Sequence, residues 1–105
     1  MSQVLYTVTA TVPGEDLACE YIDWLTGGHI QAVLAGGAAT ARVVRLDAEA
    51  VTAPQVEVQY VFPSPAALDQ YVRDVAPALR QEGVERFASR GVTFARRIGR
   101  VVAAL

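Results

Sequence analysis

The chain has no lysine, and among its 105 residues it has one cysteine, one histidine, one tryptophan and one methionine. Each scarcity excludes something. A lone Cys19 can close no intrachain disulfide, which argues against a secreted, disulfide-stapled scaffold and fits a cytoplasmic setting. One histidine, His29, and one cysteine supply no ligand set for a metal. Nor does their spacing put thiol and imidazole on one helical face for nucleophilic catalysis. No apolar run approaches the ~18–20 residues needed to cross a bilayer, and no basic stretch leads into an apolar one at the start, so neither a membrane partner nor a secretory leader is expected. There is no G-x-x-x-x-G-K and no G-x-G-x-x-G. Gly36-Gly37 is too short for either, and no cofactor is expected.

What is present points to one folded domain over residues 1–105. A hydrophobic content of 52% excludes disorder. All nine basic residues are arginine, whose guanidinium stays charged and can grip an anion with two hydrogen bonds. The net charge of −2 argues against a nucleic-acid partner, which would need a basic face.

Gln3 to Val12 alternates, with Val4, Tyr6, Val8, Ala10 and Val12 on one side and Leu5, Thr7, Thr9 and Thr11 on the other, which predicts a strand. Glu15 and Asp16 suit the first turn of a helix. Leu17, Tyr21, Trp24 and Leu25 then form one helical stripe, ended by Gly27-Gly28. Ile30, Val33 and Leu34 predict a further short helix. Ala39 to Asp47 predicts a second strand, Ala48 to Pro54 a hairpin-type connection, and Gln55 to Phe62 a third strand. In that strand Val56, Val58, Tyr60 and Phe62 face one way and Gln55, Glu57, Gln59 and Val61 the other. Ser64-Pro65 caps a second main helix carrying Leu68, Tyr71, Val72 and Val75 on one face. Pro77 is expected to stop or kink it, and Leu79 to Ala88 to form another short helix with Leu79, Val84 and Phe87 inward. Val92 to Val102 predicts the last strand, with Val92, Phe94, Arg96 and Ile98 opposite Thr93, Ala95, Arg97 and Gly99.

The order is β-α-β-β-α-β with extra short helices. This is the ferredoxin-like α+β plan, an antiparallel sheet with its helices on one face. The other face mixes Leu5, Thr7, Thr9, Thr11, Gln55, Glu57 and Gln59. That mixture suits neither a core nor open water, and it predicts a homodimer closed through this face.

Taken together these residues resemble the bacterial domain-of-unknown-function family 4286. The resemblance rests on Trp24 with His29-Ile30 and Val33-Leu34, and on Gln59-Tyr60 with Phe62. It continues through Tyr71, Ala76-Pro77 with Leu79-Arg80, Arg86-Phe87 and Arg97-Ile98. The chain departs from the family pattern at Gly27-Gly28 and at Gln31. The resemblance implies a dimeric α/β barrel, a plan shared by cofactor-free monooxygenases, small-molecule isomerases and dehalogenase-like enzymes, and it implies no particular reaction.

His29 is either a cation favoured at a helix C-terminus or a proton acceptor near neutral pH. Trp24 belongs to the buried stripe and is also a candidate for ligand contact. Gln59 and Glu57 form a polar pair that needs partners. Arg97 is the best candidate to pair with Glu57 or to hold a ligand carboxylate, whereas Arg80, Arg90 and Arg100 read as solvated surface. One arrangement would bring His29, Gln59 and Arg97 together in a pocket between sheet and helices. That would make the protein a cofactor-free small-molecule binder or enzyme, oxygenase- or isomerase-like. A filled barrel would instead make it a non-catalytic structural dimer. An RNA-recognition module is the weakest reading, because its aromatics would have to lie on the open sheet face.

Overall fold

A computed structural model describes residues 2–47 and 53–105. Most of the expected 48–54 connection lies outside the described residues. Alternating β-branched and aromatic residues form four strands: β1 (Val4–Thr11), β2 (Thr40–Arg45), β3 (Gln55–Phe62) and β4 (Thr93–Arg100). They make one antiparallel sheet in the order β2-β3-β1-β4. The most hydrophobic strands, β1 and β3, are central, and β2 and β4 are edges.

Helix α1 (Glu15–Trp24) opens after Gly14 with the two acidic residues in its first turn. The expected stop at Gly27-Gly28 is a wide π-type turn, Leu25–His29, which leads straight into α2 (Ile30–Ala35). Gly28 alone supplies the break. Its φ of 148° is a conformation that side-chain-bearing residues rarely adopt. Helix α3 (Pro65–Asp74) is capped by Ser64, whose hydroxyl accepts from the Ala67 amide at 3.1 Å. Helix α3 stops at Asp74, just ahead of Pro77 as expected, but Pro77 also opens the next helix. It sits in the first turn of α4 (Ala76–Phe87), where its missing N–H costs nothing, so α4 is longer than the expected segment from Leu79.

Helices cover one sheet face. Against Val4, Tyr6 and Ala10 of β1, Val12 just beyond it, and Val56, Val58, Tyr60 and Phe62 of β3 lie Tyr21, Leu25, Leu68, Tyr71 and Phe87, all buried. Leu17, Trp24 and Val72 pack on this core but keep part of their surface outside it. Val84, expected inward, is 47% exposed, and Ile98, on the apolar parity of the last strand, is 63% exposed. On α4 it is Gly83 that turns inward, to 3.4 Å (from an ideal Cβ) of the Trp24 ring, which carries Val84 round to the surface. Ile98 has the right parity but stands on edge strand β4, which contacts mainly β1. The shortest extent of the molecule, 19 Å, leaves room for one sheet and one helix layer.

Candidate functional site

The helix crossovers determine where the candidate residues meet. Both β-α-β connections pass over the same sheet face, so a residue between α1 and α2 can reach the Tyr6 and Tyr60 side. His29 does so. Its ring stacks on Trp24, centroids 4.2 Å apart and planes 25° apart, and it lines a cavity between α1, α4 and the sheet. Burial pushes the imidazole down to about 4, so at neutral pH it is uncharged. The helix C-terminal reading of His29 requires a cation, and the neutral, half-buried ring does not match it. Among the described residues, two buried side-chain atoms lack a hydrogen-bond partner, His29 Nδ1 and Arg80 Nε, and both residues line this cavity.

The cavity floor is aromatic. Tyr6 and Tyr60 lie stacked at 6.1 Å, and Tyr71 meets Tyr6 edge-on at the same distance. Tyr21 stacks on Trp24 and takes the edge of Phe87 at 5.2 Å. Burial raises the Tyr21 and Tyr71 phenols to about 12 and pushes Tyr60 higher still, so all three remain neutral hydrogen-bonding groups. About 40 Å³ of the cavity is open to the centre of a water molecule, enough for a few waters. With the open solvent in its mouth, bordered by exposed Val84 and Arg96, the concavity measures about 500 Å³.

Two arginines enter this site. Arg80 Nη2 and Arg96 Nε each donate to the Tyr6 hydroxyl at 3.1 Å. The surface reading of Arg80 is therefore corrected, because its long stem lets the guanidinium reach in from α4 while part of the side chain stays wet. Arg96 carried a usable signal in the sequence, a charge among Val92, Phe94 and Ile98 on the apolar parity of its strand.

The proposed meeting of His29 with Gln59 and Arg97 does not occur. Register places Thr7 opposite both Gln59 and Arg97, and Thr9 opposite Glu57, on the face away from the helices. There Glu57 is 6% exposed and collects three hydrogen bonds, from Thr9 Oγ1 at 2.9 Å, Gln59 Nε2 at 2.9 Å and Arg97 Nη2 at 3.0 Å. The Gln59 amide first, then the Thr9 hydroxyl and the Arg97 charge, hold the Glu57 carboxyl below its ordinary value against the opposing effect of burial. Arg97 thus pairs with Glu57 within the chain. Trp24 lines the cavity, so of the four candidates His29 and Trp24 meet while Gln59 and Arg97 form a separate cluster.

A four-stranded antiparallel sheet with its helices on one face defines the class of ferredoxin-like α+β proteins. Within it, the chain belongs to the family described as domain of unknown function DUF4286, whose model matches residues 3–101. No curated protein sequence matches the chain. Solved structures share the fold at low identity. A dimeric ferredoxin-like protein from an uncultured marine organism is similar over 100% of both chains, with a TM-score of 0.81 and 12% identity. A monooxygenase from Streptomyces coelicolor in complex with nanaomycin D is similar over 99% of this chain and 91% of its own, with a TM-score of 0.72 and 15% identity. A variant of SnoaB, a cofactor-independent oxygenase from Streptomyces nogalater, is similar over 100% and 98%, with a TM-score of 0.71 and 10% identity. Among the described residues no group of three or more His, Cys, Asp and Glu side chains is placed to hold a metal ion, and no helix is long and apolar enough to cross a membrane.

Proposed function

We propose that this chain is a homodimeric small-molecule-binding protein, and a cofactor-free enzyme of oxygenase-like or isomerase-like type, whose ligand enters the cavity beside His29. The observation that carries this reading is the buried, unpartnered Nδ1 of a neutral imidazole at an apolar, aromatic cavity. Buried polar atoms in folded proteins are nearly always paired. A concave apolar site with a few polar groups is also the usual form of a small-molecule site. Trp24 holds the ring by stacking and would take the face of a planar ligand alongside it. His29 would accept a proton from a phenol or an activated C–H of the ligand. The dimer is supported by the half-polar face bearing Thr7, Thr9, Glu57 and Gln59, which no helix covers, and by the dimeric description of two marine ferredoxin-like proteins with this fold.

A non-catalytic structural dimer is the second reading, favoured by the small volume open to water. One titration separates the two. With phenol as probe, the His29 ring resonance should move on binding, and His29→Ala should abolish the response while leaving the circular dichroism spectrum intact. A ring that no added phenol perturbs would leave the structural reading standing. Sedimentation showing only monomer at micromolar concentration would remove the dimer.

A further inference from the structure

Resting on the reading of the cavity as a small-molecule site, we infer that its ligand is an aromatic monoanion, a carboxylate or phenolate, held at the mouth by Arg80 and Arg96 with Tyr6 positioning both. Two guanidinium groups converge on one phenol oxygen, at 3.1 Å each. Among the described residues neither forms an ion pair, whereas Arg45, Arg73, Arg90 and Arg97 all do. No aspartate or glutamate lines the cavity. A phenol hydroxyl satisfies one donor of each guanidinium and neutralises no charge. Each guanidinium has five donors in a planar fork, and Arg80 Nε is buried with no acceptor. Holding two like charges near each other against an apolar wall is unfavourable unless an anion joins them. Their field reaches the floor, where both arginines favour the ionised form of the Tyr71 phenol although burial outweighs them. No carboxylate lines the cavity, so the negative charge that would join the two guanidinium groups arrives on the ligand.

The aromatic part follows from the walls. Behind the arginines lie the rings of Tyr6, Tyr60, Tyr71 and Trp24, which offer edges and faces to a planar ring. An anion on such a ring would lie against the guanidinium pair, with the ring seated in the open mouth and its edge toward His29, because the enclosed part holds only a few waters. The site therefore has two ends of different chemistry, a fixed double cation at the mouth and a neutral imidazole inside.

Benzoate and benzamide test this, since they share ring and size and differ in charge. Binding is followed through the fluorescence of Trp24, the sole tryptophan. Benzoate should bind at least about tenfold more tightly than benzamide, the scale of a charge-assisted hydrogen bond. Arg96→Gln should erase that preference while leaving benzamide affinity within about twofold, because only the anion uses the charge. Tyr6→Phe should weaken benzoate binding with every charge retained, which a purely electrostatic role for the arginines would not produce. Circular dichroism and melting curves establish that each variant is folded, and because Arg96 is exposed its replacement leaves the core untouched. Equal binding of benzoate and benzamide, unchanged by Arg96→Gln, overturns the anion inference and leaves the cavity reading in place. Binding of neither compound at millimolar concentration overturns both.

Discussion

The two faces of the sheet solve the same problem in opposite ways. On the helix side, polar atoms are few and two of them are left without partners at a cavity. On the other side, polar atoms are many, and Glu57 satisfies its carboxylate with three donors from its own chain. A buried polar group with every bond made is a finished structural element, while an orphaned one has an unmet requirement that a ligand can fill. This contrast supports the proposed placing of the ligand on the cavity face, although the open face holds more hydrogen-bonding side chains.

The contrast can be broken or sharpened at four places. The largest effect is expected from Phe87→Ala, which empties a fully buried ring site beneath Tyr21 and Trp24 and should cost about 3–5 kcal/mol in denaturant melts. A loss as small as that of a surface residue would mean that the aromatic face is not the core. Next comes acid. The imidazole of His29 has its proton affinity lowered from 6.5 to about 4 by burial, so between those pH values the unfolded chain takes up the proton first. Stability should fall as pH drops through that interval, with the loss complete below about pH 4, by as much as about 3 kcal/mol. The Trp24 face favours a cation and works against the shift, which makes this figure an upper bound. His29→Phe should keep the stack and flatten this part of the pH profile; an unchanged profile would place the imidazole in solvent.

On the open face, Glu57→Gln should cost about 1–2 kcal/mol at neutral pH, since it weakens the Thr9, Gln59 and Arg97 bonds without emptying the site. Because the carboxyl is held below its ordinary 4.5, its contribution is present above that value and is lost as pH falls through the lower folded value. The smallest effect is expected at the exposed Glu15–Arg45 pair, where Arg45→Ala should change stability by less than about 0.5 kcal/mol. A larger change there would show that a surface ion pair helps to hold α1 on the sheet.

The strands were legible from their period of two, and β3 from Gln55 to Phe62 keeps the expected bounds and alternates in burial except at Glu57, which is buried on the opposite face. So was the composition of the polar cluster, since parity alone puts Glu57, Gln59 and Arg97 on one face. The same parity excludes those residues from a pocket with His29, which the helix crossovers hold on the opposite face. The two facts must be combined across the whole topology, and neither local pattern contains the conflict. Arg80 was hidden for another reason. An arginine on an amphipathic helix looks solvated in sequence, and only its distance to a buried phenol reveals that it reaches inward. Pro77 misled because a proline that ends one helix and one that begins the next look alike when the helices follow without a loop.

The edge strands have a consequence for how copies of this protein meet in solution. Five of the nine arginines lie on β2 and β4, at Arg42, Arg45, Arg96, Arg97 and Arg100, and none on the central strands. An unpaired strand edge is a template on which any other chain can add a strand, and fixed positive charge along it makes a second copy of the same edge repulsive. Arg45 and Arg97 are paired with Glu15 and Glu57, so it is the charge of the other three that opposes the addition of a second copy's like edge.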